Sequence, residues 1–498
     1  MTVEVMPRRT TGVAGLDEIL EGGLIAQRLY LVEGNPGSGK TTLALQFLLE
    51  GARHGEKCLY VTLSETSDEL SAGAASHGWS LDDLVIVELL SEQQRELLSD
   101  GPLTMVQPSE VELSETTRRM LKEIDRVGPT RLVVDSLSEM RLLARNSLLY
   151  RRQILAIKQY LIGRRCTVLM LDDRTAEGPD LQLHSIAHGV LALYMDAPTY
   201  GQTRRRLQVM KFRGSNFGSG YHDFVLRKGG LAVFPRLVAA EHGKHYERSL
   251  IASGVTALDQ LLGGGVERGT SILMVGPPGS GKSTLALQYA VAAADRGDHV
   301  ASFIFDESRS ALLSRAAGLS LRFKEGGGPG EIALRQIDPV EISPGEFAAD
   351  VRTAVERDAA RVVIIDSLNG YLNAMTQPNF LTAQLHELLM YLGNHGVTTF
   401  LVVAQSGMVG ASMSTPVDTS YLADAVVLLR YFEHAGAVKK AISVLKKRTG
   451  GHEESIREVW FDGAGVHLSE PLLGLRGILT GVPVEVAGVG LQTGQGQR

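Results

Sequence analysis

The 498-residue sequence predicts an α/β protein of two tandem domains, each with a mainly parallel sheet flanked by helices. Three observations predict it. A glycine-rich loop of one pattern occurs twice, a longer pattern repeats around it at constant spacing, and each copy carries apolar runs that end in an acid. Such runs suit strands buried on both faces of a parallel sheet.

The first loop reads Gly34-Asn35-Pro36-Gly37-Ser38-Gly39-Lys40-Thr41-Thr42, and the second Gly276-Pro277-Pro278-Gly279-Ser280-Gly281-Lys282-Ser283-Thr284. Both fit G-x-x-x-x-G-K-[ST], in which glycines let backbone N–H groups turn inward around phosphate oxygens. In that pattern Lys40 and Lys282 reach the β- and γ-phosphates, and the Thr41 and Ser283 hydroxyls ligate Mg²⁺. Each loop follows an apolar run, Leu29-Tyr30-Leu31-Val32 or Ile272-Leu273-Met274-Val275, and precedes a stretch rich in Ala, Leu and Gln. Strand, loop and helix form the context that confirms the motif, because the helix N-terminus adds its dipole to the phosphate site. A protein that hydrolyses a nucleotide or transfers its phosphoryl group is expected.

Lys282 follows Lys40 by 242 residues, and the surrounding pattern keeps that offset. Thr11-Gly12-Val13 with Leu16-Asp17 returns as Ser253-Gly254-Val255 with Leu258-Asp259. A period this long means two duplicated domains rather than a solenoid. The expected boundaries are 1–246 and 247–468, divided in a polar stretch at 241–248, with a Gly-rich tail at 469–498.

A second apolar run ends in Asp135 in one half and in Asp366 in the other. An acid at the carboxyl end of a strand, downstream of a P-loop, suits the shell of a bound Mg²⁺; the bland reading is a cap on the next helix. Between loop and acid lies a third strand end, Ser64-Glu65 in the first half and Asp306-Glu307 in the second. Glu65, Asp306 and Glu307 are candidate bases for water or a protein hydroxyl, or else a solvated strand terminus. Alternation along a strand would turn only one residue of each pair into the site.

Late in each half comes a cationic strand containing Lys211 and Arg213, or Lys446 and Arg448. Alternation with apolar neighbours brings both charges out on one face. Such a pair suits a γ-phosphate reached across a subunit interface, or else protects an exposed edge strand.

Composition narrows the class. The net charge of −6 gives no global basic field to attract nucleic acid. Cys58 and Cys166 lie in apolar, strand-like contexts and read as reduced core residues, not a metal site or disulfide. No apolar run is long enough to span a bilayer and no signal-peptide core is found near the start, so a soluble, cytoplasmic protein is expected.

These parts, in this order, resemble the KaiC family of double-domain RecA-like ATPases from the cyanobacterial circadian clock. The resemblance covers residues 11–486 and includes the segment Glu454-Ser455-Ile456-Arg457-Glu458-Val459 and the tail segment Arg476-Gly477-Ile478-Leu479-Thr480-Gly481. It implies two RecA-like domains in a homo-hexamer, with ATP and Mg²⁺ at subunit interfaces, and Lys211, Arg213, Lys446 and Arg448 serving the neighbour's γ-phosphate. It implies an ATPase in the first domain and a serine/threonine autokinase in the second, acting in signalling or circadian-type regulation. Regulatory partners of the KaiB kind are implied too, although the residues themselves carry no signal for them. Matching the family's acceptor pair, which precedes Asp424-Ala425-Val426-Val427, gives Ser420 and Tyr421, where the family has Ser-Thr. The family's paired glutamates are here Ser64-Glu65 and Asp306-Glu307, so first-domain hydrolysis is expected to be slow or to depend on Glu65.

Two other functions compete. A DNA-tracking ATPase needs basic channel loops, but 405–420 has no Lys or Arg and 172–180 is acidic overall, so nucleic acid is not an expected partner. A hexameric scaffold switched by ATP, transferring no phosphate, stays open.

Overall fold

The computed structural model describes residues 7–89, 109–144, 147–174, 181–241, 243, 245–373, 378–405, 422–480 and 483–485. The chain divides into a unit ending at Arg236 and a unit beginning at Leu237, somewhat ahead of the division expected at 246.

The main sheet of the first unit contains β1 (Leu29–Gly34), β2 (Cys58–Thr62), β3 (Val85–Glu88), β4 (Arg131–Asp135), β5 (Thr167–Asp173), β6 (Gly189–Asp196), β7 (Arg204–Phe212), β8 (Tyr221–Arg227) and β9 (Gly230–Phe234). Their order is β9-β8-β7-β6-β1-β5-β4-β2-β3. The strands from β6 to β3 run parallel, and β7, β8 and β9 extend the sheet antiparallel. The sheet is therefore mainly parallel, as expected. Strand β1 lies centrally, so the loop that leaves its carboxyl end opens above the middle of the sheet.

Alternation along the strands feeds two cores. Val133, Leu169 and Leu191 pack with Leu43, Phe47 and Leu48 of the helix Lys40–Arg53. Leu132, Val134 and Met170 point the other way, to Met140 and Ile154 of the helices Leu137–Ala144 and Ser147–Leu161. The result is a sheet covered on both faces. Helix starts follow the usual chemistry. Thr66 and Glu69 form a reciprocal capping box at the helix Ser67–Ser76, and Ser308 caps its counterpart Arg309–Gly318.

The second unit repeats the plan with β10 (Ser271–Gly276), β11 (Val300–Ile304), β12 (Lys324–Glu325), β13 (Glu331–Gln336), β14 (Val362–Asp366), β15 (Thr398–Ala404), β16 (Ala425–His434), β17 (Ala437–Lys447), β18 (Arg457–Asp462) and β19 (Gly465–Pro471). Their order is β12-β13-β11-β14-β15-β10-β16-β17-β18-β19. In the tail, Ile478 is buried against Phe432 and Ala441. Among the described residues no helix is long and apolar enough to cross a membrane. Cys58 and Cys166 are free and buried, and burial pushes their thiols up to about 11 and about 12.

One buried charge ties the first unit together. Arg131, at the start of β4, is 1% exposed. It donates to Glu56 Oε2 at 3.0 Å and to the carbonyls of Thr10 and Phe47 at 2.7 Å each, and its guanidinium lies 4.7 Å from the Phe47 ring centroid. Arg131→Met removes every one of these donors and leaves Glu56 only the more distant Arg9, at 3.6 Å, and the Thr130 hydroxyl, at 3.4 Å. The expected cost is about 3–5 kcal/mol, as for a broken buried pair. At roughly 2–4 °C per kcal/mol for a unit of this size, that lowers its melting transition by about 10 °C. Differential scanning calorimetry checks this, and a shift of under about 2 °C would show that Arg131 is dispensable.

Candidate nucleotide sites

Each P-loop turns through left-handed glycines. Gly39 has φ +105° and Gly281 φ +107°, each immediately before the helix that starts at Lys40 or Lys282. At Gly281 the demand is double, because a Cβ there would lie 2.2 Å from the Phe461 ring. Ser38 and Ser280 occupy the same place in the two loops. Both are fully buried, and among the described residues neither hydroxyl has a hydrogen-bond partner. A polar atom kept dry and unpaired in each loop fits a cradle for phosphate oxygens.

The lysines differ in their surroundings. Lys40 Nζ donates to the carbonyls of Gly34 at 2.9 Å and Asn35 at 3.1 Å, and pairs with Asp173 Oδ1 at 2.7 Å. Lys282 Nζ donates to the Pro277 carbonyl at 2.8 Å. Burial pushes the Lys282 amine down to about 8, with Asp366 pulling weakly the other way.

The expected Mg²⁺ groups meet in both units. Thr41 Oγ1 donates to Asp135 Oδ2 at 3.1 Å, and Ser283 hydrogen-bonds Asp366. Burial pushes both carboxyls up, opposed by the neighbouring hydroxyls. In the first unit Tyr60 also donates to Asp135 Oδ2, where the second unit has Ser302. Hydroxyl and carboxylate oxygens are the donor set of a hard cation. Among the described residues no cluster of three acid, His or Cys side chains could hold a metal.

The strand-end acids lie past the ends of β2 and β11, on bends rather than on pleated strand. Alternation therefore does not sort them. In the second unit both are engaged: Asp306 accepts from the Ser367 hydroxyl, and Glu307 Oε2 pairs with Arg315 Nη2 at 2.6 Å. In the first unit Ser64 is exposed and Glu65 half-buried, and burial followed by Asp135 and Glu69 pushes Glu65 up.

Neither cationic strand is an edge. β7 lies between β6 and β8, and β17 between β16 and β18, but the outer pairing covers only 205–208 of β7 and 441–442 of β17, so Lys211 and Lys446 are paired on one side only and their ends remain edge-like. Lys211 bonds the His184 and Ala187 carbonyls (2.7 Å to the latter), and Arg213 reaches the Ser185 carbonyl at 3.4 Å. Lys446 donates to the Ala423 carbonyl at 2.8 Å, and Arg448 pairs with Asp424 at 3.3 Å. A register shift precedes each lysine. Val190 faces Lys211 while Leu191 faces Val209, and Val426 faces Lys446 while Val427 faces Val444. Met210 and Leu445 are the extra, exposed residues. Each bulge reverses the alternation, so that Lys211 and Lys446 leave the core face held by Leu207 and Val209, or by Ile442 and Val444. The pairs also sit at the wrong end of the sheet for their own P-loop. Lys211 is level with Leu31, three positions before Gly34, and Lys446 is level with Leu273, three before Gly276. At about 3.3 Å per residue that is roughly 10 Å back along the strands.

A cavity of about 430 Å³ opens at the second P-loop, lined by Gly279, Lys282, Thr284, Arg315, Lys440 and Phe461 among others. The sequence reading passed over the last three. Arg315 falls where the first unit has Gly73, so comparing the two helices position by position would have found it.

The buried amine generates a pH dependence. Only the protonated Lys282 attracts phosphate, so in the Lys40→Ala chain ATP affinity at the second site falls as pH rises through about 8. The limiting slope is about tenfold per unit, with proton uptake on binding. Calorimetric titration in buffers of different ionisation enthalpy reads both, and a flat affinity up to about pH 9 would dismiss burial as the determinant.

The comparisons with known proteins agree with this geometry. The profile of the family described as "ATPase: KaiC" matches residues 9–238 and again residues 251–471. The circadian clock protein KaiC3 of Synechocystis sp. (strain ATCC 27184 / PCC 6803 / Kazusa) is 26% identical over 496 residues, covering 96% of this chain and 94% of the relative. The circadian clock oscillator protein KaiC of Picosynechococcus sp. (strain ATCC 27264 / PCC 7002 / PR-6) is 26% identical over 481 residues, covering 96% and 92%. That of Parathermosynechococcus lividus is 25% identical over 487 residues, covering 97% and 89%. With two P-loop units of RecA-like architecture, each matched over most of its length, the chain belongs to the KaiC ATPase family.

Proposed function

We propose that this chain hydrolyses ATP with Mg²⁺ in both units, works as a ring of six copies, and in its second unit transfers the γ-phosphate to its own Ser420. The ring reading is supported by one observation above all. Lys211 with Arg213, and Lys446 with Arg448, stand at the end of each sheet remote from its own P-loop. A neighbour in a closed ring can bring a phosphate to them that their own loop cannot.

Lys40 and Lys282 would hold the phosphates. Thr41 with Asp135, and Ser283 with Asp366, would hold the Mg²⁺, which when bound spreads the charge of the phosphate oxygens. Glu65 in the first unit, and Asp306 or Glu307 in the second, would take the proton of the attacking oxygen. In hydrolysis that oxygen belongs to water and the products are ADP and phosphate. In autophosphorylation it is Ser420 Oγ: its bond to γ-phosphorus forms, the bond from that phosphorus to the bridging oxygen breaks, and ADP leaves. Ser420 and Tyr421 lie outside the described residues. The relatives' names connect them with circadian clocks, which supports signalling or clock-type regulation. Tyr421, standing where the family has a second small hydroxyl, favours the alternative of a scaffold switched by ATP.

Mass spectrometry after incubation with Mg·ATP separates these readings. Phosphate on Ser420, absent in Lys282→Ala, is the expected result, whereas an unmodified chain with steady hydrolysis selects the scaffold. In the Lys282→Ala chain, Glu65→Gln is expected to slow the remaining hydrolysis by about 10²–10⁴-fold, the usual worth of a positioned base. Equal rates for Glu65 and Gln at that position would remove Glu65 from the chemistry.

A further inference from the structure

We propose that Asp173 makes the first nucleotide site the weaker of the two for ATP, because its carboxylate already occupies the Lys40 amine where a phosphate must bind. The inference rests on the reading that both P-loops take ATP, and adds what distinguishes them.

Two independent relations show which residue of the second unit stands in the place of Asp173. In the sheet, Asp173 at the end of β5 is the register partner of Gly34, and Ala404 at the end of β15 is the partner of Gly276. Off the sheet, Ser138 Oγ accepts from the Asp173 backbone N–H at 3.2 Å, and Asn369 Oδ1 accepts from the Ala404 N–H at 2.8 Å. The acid of one unit is thus a methyl group in the other.

An ammonium has three donors. Lys40 spends all three within its own unit, on Gly34, Asn35 and Asp173. Among the described residues Lys282 donates to Pro277 and no acid lies against it. Asp173 is also held in place, since its second oxygen accepts from Ser138 Oγ at 3.0 Å. The acid has company: Asp172 is buried and pinned by Arg141 at 2.5 Å, and Glu139 is pushed up by burial and then by Asp173. The positions matching Asp172 and Glu139 are Val403 and Gly370. A triphosphate entering the first site therefore has to separate an ion pair and then lie beside the released carboxylate, where like charges repel. The second site imposes neither condition.

The test is binding of a fluorescent ATP analogue with Mg²⁺ to full-length chains in which one P-loop lysine is replaced. In the Lys282→Ala chain, Asp173→Asn keeps the shape, removes the charge, and is expected to tighten the first site by about tenfold or more. Asp173→Glu should return binding to its weak value, which a purely structural role would not predict. In the Lys40→Ala chain, Ala404→Asp is expected to weaken the second site by a similar factor, and this arm stands alone if the Asp173 variants fail to fold. Unchanged or weaker binding in Asp173→Asn, or lost turnover with unchanged binding, overturns the proposal, as does an unaltered second site in Ala404→Asp. If neither loop of the unmodified protein binds the analogue, the ATPase reading itself fails. Binding at both loops with indifferent variants sinks only the part played by Asp173.

Discussion

A lysine amine buried at the carboxyl end of a central parallel strand is the constraint around which each unit is organised. Lys40 and Lys282 are 8% and 6% exposed. Taking an ammonium out of water costs several kcal/mol unless oxygens surround it. The P-loop backbone supplies some of those oxygens, which is why the loop must bend through left-handed glycines and why the helix must begin at the lysine itself. The central placement of β1 and β10 follows, because there the end of the next strand but one, β4 or β14, brings Asp135 or Asp366 beside the hydroxyl next to the lysine.

The two units keep this backbone and differ in the charges laid on it. The first adds two acids: Asp173 at the end of β5, against the lysine, and Glu33 inside β1, paired with His184 at 2.8 Å. The second has Val275 and Ala404 at those places and moves its added charge outward, to Arg315 on Glu307. After duplication a sheet core tolerates such exchanges provided each new charge arrives with a partner. The Glu33–His184 and Arg315–Glu307 pairs meet that condition.

Much of the molecule was legible in the sequence, for identifiable reasons. The loops, the strand-ending Asp135 and Asp366, and the duplication are local or periodic signals, and the fold returned each in place. The contacts that distinguish the two sites are not local. Lys40 meets Asp173 only because β1 and β5 pair in one register, which no window of sequence contains. Arg315 reads as one more charge on an amphipathic helix until its turn is seen to face Glu307. Lys211 and Lys446 were legible as cations but not in their direction, since the exit side depends on a bulge that alternation does not announce. Edge protection fits only the strand ends that carry Lys211 and Lys446, which run past the pairing with β8 and β18, a limit that no window of sequence shows.

The unpaired residue at Met210 and at Leu445 sets a rule for how such chains can diverge. Because neither has a counterpart across the strand pair, a chain lacking Met210 or Leu445 still sets Lys211 opposite Val190, or Lys446 opposite Val426, and the lysine leaves by the same side. One residue gained in the facing strand, between Val190 and Leu191 or between Val426 and Val427, would instead give the extra residue a partner and turn the lysine to the core face. When homologous chains are aligned, an added column in the facing strand therefore bears more on where these lysines point than a missing one at Met210 or Leu445.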